Sequence, residues 1–489
     1  MIPLPRQSES NAGNAVLSAA SHISVGDDRL LGLARQFAFE LKPFTTLDVP
    51  VTSGTAGTGT VSLCLDTALD GGVYTLDITD SILVKGGSVP AVAHATTTLL
   101  HTMHAGHGRA AWHGVHLQDR PEYPYRGLMV DLARQPHSYE SLRMFVALCR
   151  WYKLSHLHLH LTDNQSFTFP STEYPELATP GHSYSLEQLR ELEEYAACCG
   201  VTLLPELDVP GHCRYLLGAL GEQVGCAGPG GGSDICPGRE STYEVMETLI
   251  AEMCDVFCRT EYFHIGADET RRSAWKECPY CAARMQEEGL ADEEELYRYF
   301  IIRLHEMVVR QGKKTLVWEG FGPGGRLRVP RDVGVMVFES DYNIAPDLLA
   351  DGYPVINTSW QPLYVAGRGR GPGLSWPAAA IHQWNVGRWE SPWQRSRAFR
   401  EPIQLEDASA VLGAQVCSWG QSEAAELPSL RDRVAAMSER AWNPGRNDAG
   451  DFFLRLGESD LKLGRFLYSA LPQETWPRWI TTPVEELDV

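Results

Sequence analysis

The sequence predicts a (β/α)8 barrel preceded by a small α+β domain, and three observations carry the prediction. From Arg126 onward, short apolar runs alternate with helical segments, and eight such runs can be counted. Earlier in the chain, "VYTLDITDSILVKGG" alternates in hydrophobicity. Tyr74, Leu76, Ile78, Ile82 and Val84 share one parity, the signature of a half-buried strand pair. No glycine-rich phosphate loop follows the first barrel run, which argues against a doubly wound nucleotide fold.

The N-terminal unit is assigned residues 1–120. After the strand pair, "SVPAVAHATTTLLHTM" reads as a helix, and "DRPEYPYRG" supplies two prolines and a boundary. The barrel unit is assigned 121–489, with a C-terminal helical extension. There "DFFLRLGESDLKLGRFLYSALP" is amphipathic and expected to cover the barrel. Strand candidates are 127–132, 155–161, 201–207, 262–267, 314–319, 333–339, 353–359 and 413–419. Helices lie between several of them. In "SLRMFVALCRWY", Leu142, Phe145, Val146, Cys149 and Tyr152 fall on one face. "SLEQLRELEEYAACCG" opens on a capping box of Ser185 and Gln188 and stops at Gly200. In "VMETLIAEMCDVF", Val245, Leu249, Met253 and Val256 keep helical spacing.

Composition narrows the class. With 489 residues, 43% hydrophobic and 21% charged, the chain has ample material for a core. A net charge of −20 repels phosphate backbones, so nucleic acid is excluded as an expected partner. No run of eighteen apolar residues suggests a membrane span. Twelve cysteines lack a disulfide-framework rhythm, and no signal peptide is evident, so a cytoplasmic setting is expected. "CPYC" (Cys278, Cys281) is read as structural packing near Cys226 or Cys236, with a redox pair or a four-cysteine zinc site as the alternatives.

The chemistry is expected where "YFHIGADE" places Asp268 and Glu269 side by side after an apolar run. Each carboxylate costs several kcal/mol to desolvate unless paired, bonded or protonated. A helix N-terminus, where acids favour the dipole, is the bland alternative. In a barrel, however, active sites sit at the C-terminal ends of strands. Asp131, Asp163, His212, Trp318, Trp419 and, slightly beyond its strand, Tyr364 fall there as well. Carboxylates among tryptophans suit a carbohydrate: C–H faces pack on rings, and hydroxyls bond to acids and arginine. His158 and His160 alternate inside a strand and read as hydrogen-bonded core residues.

The stretches "YRGLMVDLAR", "YKLSHLHLHLTDNQSF", "VTLLPELDVPGH", "HIGADE", "VWEG" and "CSWGQ…LRDRVAAMSERAW" resemble the glycoside hydrolase family 20 β-N-acetylhexosaminidases, in family order. The N-terminal unit resembles the family's accessory domain. The resemblance implies an exo-acting, retaining, substrate-assisted hydrolase of terminal β-linked N-acetylglucosamine or N-acetylgalactosamine. In it the 2-acetamido oxygen attacks the anomeric carbon and forms an oxazolinium. It implies Glu269 as the general acid and Asp268 as the carboxylate that holds the acetamido N–H. A charged Asp268 is then expected to raise the Glu269 pKa. In extended geometry the two side chains would point to opposite sides.

The resemblance also implies Tyr364 as donor to the acetamido oxygen, and Trp318, Trp384 and Trp419 as aromatic walls. It implies Arg126 as the fork on ring hydroxyls, and Asp131 with His212 as support for Glu269. Asp163 joins them as a rim residue. The bland readings are a domain-interface ion pair for Arg126, a helix cap for His212 and core packing for the tryptophans. No metal or organic cofactor is expected. The partner is a glycan or amino-sugar substrate, with a pocket completed by a second copy of the chain left open.

Three positions depart from the family pattern. Ala267 stands where glycine is common, and Phe167-Thr168 replaces an aromatic-arginine pair. Gln421 stands where a glutamate accepts bonds from O4 and O6. Loss of that charge suggests a shifted gluco/galacto preference or acceptance of a 6-sulfated sugar, with Arg368 and Arg370 as nearby cations. Rival readings are a lacto-N-biosidase-like enzyme releasing a disaccharide, and an inactive sugar-binding homologue.

Overall fold

The computed structural model describes residues 1–54, 60–227, 233–367 and 375–481. Arg368 and Arg370, invoked above for an anionic sugar, lie outside the described residues.

Two sheets organise the chain. The first is mixed and N-terminal, and two helices, Leu31–Thr45 and Val89–Thr102, accompany it. Its centre is the expected hairpin: Tyr74–Ile78 runs antiparallel to Ile82–Gly86, with Tyr74, Leu76, Ile78, Ile82 and Val84 all buried. Alternation at period two is enough to fix which face is covered.

The second sheet closes on itself. Its eight parallel strands are Tyr125–Asp131, His156–His160, Thr202–Val209, Tyr262–Gly266, Lys314–Trp318, Gly334–Val337, Val355–Asn357 and Val411–Trp419. The eighth pairs with both the seventh and the first, which completes the barrel. All eight were legible because both faces of each strand are covered, so they read as short, largely apolar runs broken only by buried polar residues such as His158, His160 and Glu206. A short extra strand, Tyr364–Ala366, lies along the end of the eighth strand, with Tyr364 opposite Cys417 and Ala366 opposite Trp419.

The C-terminal helix Ala449–Tyr468 buries Phe452, Leu456, Leu463 and Phe466 and leaves Leu454 and Leu461 exposed. It covers the first barrel helix: the rings of Trp151 and Phe466 are 4.7 Å apart, and Trp151 Nε1 donates to Ser459. No helix among the described residues is long and apolar enough to cross a membrane.

The N-terminal sheet and its helices cap the barrel floor, and there Arg126 departs from its expected role. It opens the first strand, so its side chain lies at the end opposite the mouth. All of its guanidinium N–H groups are used: Nε and Nη2 donate to the Lys153 carbonyl, Nη1 to Tyr123 and Pro124, and Nη2 also contacts His94. Its Cζ lies 5.1 Å from the Trp442 ring centroid. Arg126 is thus a fully bonded interface residue and cannot reach a sugar in the mouth. Beside it, Lys153 Nζ donates to Tyr74 and Thr98 and lies 3.8 Å from Asp119. Arg150 grips Glu40 through two 2.6 Å bonds, with neither side chain exposed.

Candidate active site

The first barrel strand ends in Asp131, whose Oδ1 accepts the N–H groups of Ala133 and Arg134. Its Oδ2 accepts from Arg134 Nη1 at 2.9 Å and from the Gly420 N–H at 3.0 Å. Asp131 therefore positions Arg134 and ties the first strand's loop to the eighth's. Arg134 reaches on to Asp163 at 2.5 Å and lies over the Trp419 ring, 4.8 Å from its centroid. A planar fork fixed by two carboxylates is built for vicinal hydroxyls. Arg134, in the same quoted stretch but at the strand's C-terminal end, stands at the mouth where Arg126 was expected.

Asp163 follows the second strand. It accepts from His160 at 3.0 Å and faces His212 Nδ1 at 3.5 Å. His212 Nε2 in turn lies 3.7 Å from Asp268 and 3.6 Å from Glu269. The partner of His212 is thus Asp163, not Asp131. Burial opposes a charge on His212, but Asp208 and Asp268, with bonds to Asp163 and Glu269, raise its pKa well above the imidazole range.

Asp268 and Glu269 do not continue the fourth strand in extended form. Gly266, Ala267 and Glu269 have φ of 69°, 72° and 45°, so the chain coils through the left-handed region. Gly266 is required there: a Cβ would stand 1.9 Å from Asp208 Oδ1. Ala267 accepts the same conformation at an expected strain of about 1–2 kcal/mol. The coil separates the two acids by depth. Asp268 is buried with Oδ1 unpartnered, while half of the Glu269 side chain is exposed.

Their ionisation is the reverse of the expectation. His212, bonded to Glu269, holds its pKa below the ordinary carboxylate value, and Arg395 and Arg134 add to the effect. Asp268 is the raised member, by burial first and then by the charges of Glu269 and Glu206. Asp208 is raised further, by burial first and then by the Asp268 charge. A cation between the two acids outweighs the repulsion that the sequence suggested.

Below the acids, Glu206 sits in the barrel lumen, fully buried. His160 Nδ1 contacts it at 2.5 Å and His158 and His264 at 3.2 Å each, and Trp318 Nε1 donates to it at 2.5 Å. His158 and His160 are the bonded core residues expected.

The pocket wall is aromatic. Tyr364 packs 4.2 Å from Trp360 and 6.1 Å from Trp419, and Trp318 lies 5.9 Å from Trp419. Burial keeps the Tyr364 phenol protonated, hence a donor. The indole N–H groups of Trp360, Trp393 and Trp419 have no partner. Trp384 does not join the wall. It caps the helix Ala378–Gln383, donates to the Arg388 carbonyl and packs in the outer core. Trp360, just past the seventh strand, takes that place, which distance from a strand end would have indicated.

Gln421 is buried beside Trp419, but its amide nitrogen is turned to Ser418 at 3.4 Å and to Ser429 at 2.5 Å. Two rim residues escaped sequence reasoning altogether. Arg395 bonds Glu339 and lies 3.4 Å from Asp341 and 4.0 Å from Glu269. Glu319 fixes the loop that carries Glu339, accepting the N–H groups of Ser340, Asp341, Tyr342 and Asn343. Arg395 follows no motif and arrives on a loop without periodic pattern, whereas Glu319 lies in the quoted "VWEG" directly after the fifth barrel strand and was passed over.

A closed parallel barrel, two acids at a strand end and an aromatic wall with unpartnered donors define a glycoside hydrolase site. A family model described as "Glycosyl hydrolase family 20, catalytic domain" matches residues 123–445, and one described as "domain 2" of that family matches 1–120. The chain belongs to glycosyl hydrolase family 20.

Among relatives, a "Beta-hexosaminidase" of Porphyromonas gingivalis is 26% identical over 95% of this chain and 63% of its own length. One from Vibrio furnissii is 25% identical over 89% of this chain and 74% of its own length. The chain therefore spans less than two thirds of the first relative. Among solved structures, a β-N-acetylhexosaminidase from Bacteroides fragilis superposes with a TM-score of 0.80 at 21% identity, covering 95% of this chain and 96% of that one. A GH20 exo β-N-acetylglucosaminidase of Vibrio harveyi, solved with N-acetylglucosamine, gives 0.80 at 22% identity, covering 97% and 78%. At these identities the likeness speaks to the fold.

Proposed function

We propose that the chain is an exo-acting β-N-acetylhexosaminidase that uses the substrate's acetamide as its nucleophile. The observation that carries the reading is the difference between the two neighbouring acids. Only Glu269 stands open to the mouth, where a leaving oxygen would arrive; Asp268 is buried with one oxygen unpartnered. A two-carboxylate displacement needs one acid at the leaving oxygen and the second carboxylate open to the opposite face of the anomeric carbon. A buried second acid with a free acceptor suits an amide N–H instead.

In this reading Asp268 accepts the acetamido N–H and Tyr364 donates to its oxygen, which aims that oxygen at the anomeric carbon. Trp318, Trp360 and Trp419 enclose the methyl and one sugar face, and Arg134 holds ring hydroxyls. As the glycosidic bond breaks, Glu269 protonates the departing oxygen. His212, 3.6 Å from Glu269, is placed to share that proton with it in the free protein. Water then opens the oxazolinium, returning its proton to Glu269. Asp163 orients His212 throughout. A reducing compartment is the proposed setting, since none of the twelve cysteines is paired in a disulfide.

Turnover of an aryl N-acetyl-β-glucosaminide, with mass analysis of the products, tests the reading. Release of one N-acetylhexosamine with retained configuration is expected. A released disaccharide points instead to the lacto-N-biosidase-like activity, and no turnover points to a sugar-binding homologue.

A further inference from the structure

Behind the catalytic pair, sulfur atoms from three places in the chain converge on one point. Cys226 ends the helical segment after the third strand, Cys236 lies in "DICPG", and Cys278 and Cys281 form "CPYC". We propose that Cys226, Cys236, Cys278 and Cys281 bind one structural Zn2+ that fastens the segment after the third barrel strand to the segment after the fourth.

The geometry fits a tetrathiolate. All four Sγ atoms lie within 4.8 Å of one another, with Cys236 3.6 Å from Cys278 and 3.5 Å from Cys281. Four sulfurs around zinc at about 2.3 Å stand about 3.8 Å apart along each tetrahedral edge. A disulfide would draw one pair to about 2.05 Å. Cysteines that merely fill a core are surrounded by carbon; here each faces three other sulfurs. Cys236, Cys278 and Cys281 are buried and Cys226 is partly exposed, which leaves a route for the metal.

The backbone is shaped around the cluster. Cys278 precedes the helix Pro279–Glu288 and Cys281 lies in its first turn, so the positive end of that helix faces the sulfurs. The C-x2-C spacing on a turn is a common zinc half-site. Gly238 brings the Cys236 loop against this turn so closely that a Cβ would lie 2.3 Å from the Tyr280 carbonyl carbon and 2.4 Å from the Cys281 nitrogen. The loop is pinned further by the Thr242 hydroxyl on the Cys236 carbonyl and the Tyr243 hydroxyl on the Pro237 carbonyl.

The position gives the clamp its purpose. Asp234, two residues before Cys236, accepts the N–H groups of Arg271 and Arg272 at 2.7 and 3.1 Å, directly after the catalytic pair. The Ile235 N–H donates to Pro210, beside His212, and the Ile235 carbonyl accepts from Trp275. Zinc would therefore lock the His212 loop and the Asp268–Glu269 loop into one body, without entering the chemistry.

The test uses the intact chain. After gel filtration in EDTA, elemental analysis should find one zinc per chain, released by a mercurial and detected by a pyridylazo dye. Cobalt grown in its place should show the visible spectrum of a tetrahedral tetrathiolate. Cys236→Ser and Cys281→Ser should lose the metal, while Cys258→Ser, at an exposed thiol outside the cluster, should keep it. Zinc withdrawal should lower the thermal midpoint. A wild-type chain that stays metal-free after zinc reconstitution overturns the site, as do a bound iron in place of zinc and a disulfide within the four cysteines. An unchanged thermal midpoint after withdrawal overturns the clamp. Metal content reads independently of glycosidase turnover, so failure of either proposal is distinguishable from failure of the other.

Discussion

The two ends of the barrel bury charge in opposite ways. At the floor the charges have partners: Arg150 with Glu40, Lys153 with Asp119, and Arg126 with backbone carbonyls and His94. At the mouth, Asp268 Oδ1 and the indole N–H groups of Trp360, Trp393 and Trp419 lack partners, and Asp208 and Asp268 are both raised by burial. A buried polar group left unbonded costs about 1–3 kcal/mol. At the floor the charges escape that cost, although His94 Nδ1 beside Arg126 does not, and the bonded charges hold the two sheets together. The mouth accepts it, which is sensible only if a ligand supplies the missing bonds.

The contrast breaks most sharply at Glu269. Glu269→Gln should lower kcat on an unactivated glycoside by about 10²–10⁴-fold, with KM little changed and the thermal midpoint unmoved, in steady-state kinetics and calorimetry. Asp268→Asn keeps the shape but removes charge from the developing oxazolinium. It should cost about 10²–10³-fold in kcat, more than in KM. At the floor the pattern should invert. Arg150→Ala strands Glu40 and should cost about 3–5 kcal/mol of stability in denaturant titration, with kcat of the folded fraction kept.

His212 sharpens the same contrast through pH. If the His212–Glu269 pair holds the proton together, its alkaline limit is set by the raised imidazole. His212→Gln should then move the alkaline limb of kcat/KM to lower pH. If Glu269 acted alone, removing a neighbouring cation would raise its pKa and move that limb upward. The smallest effect is expected at Gln421, whose amide is engaged with Ser418 and Ser429. Gln421→Glu should change the gluco/galacto ratio by about tenfold or less, measured on the two aryl substrates.

Much of this was legible in the sequence, and the misses have physical causes. The barrel strands showed because burial on both faces makes them short, largely apolar runs, and the few polar residues they carry, such as His158, His160, Glu206 and His264, are bonded to one another inside the barrel. Asp268, Glu269, His212, Asp163, Tyr364, Trp318 and Trp419 were placed at strand ends from the sequence, and the structure gathers them at the mouth, because strand order alone decides which end a residue meets. Arg126 and Arg134 bracket one strand, and choosing between them required asking which end faces the mouth. Trp384 misled because a helix intervenes between it and the seventh strand. The coil at Gly266, Ala267 and Glu269 was hidden because two of its three left-handed residues are not glycine. The Glu269 ionisation was hidden because His212 and Arg395 arrive from other loops. The cysteines were visible as candidates, but only the fold brings the four sulfurs together.

The central claim is that the substrate's own amide attacks while Asp268 holds it. Binding of a thiazoline analogue of the oxazolinium to wild-type and Asp268→Asn protein, by calorimetry, tests it most directly. Binding far tighter than that of N-acetylglucosamine is expected, with a large loss in the variant. Binding no tighter than the sugar, or equal in both proteins, would contradict it.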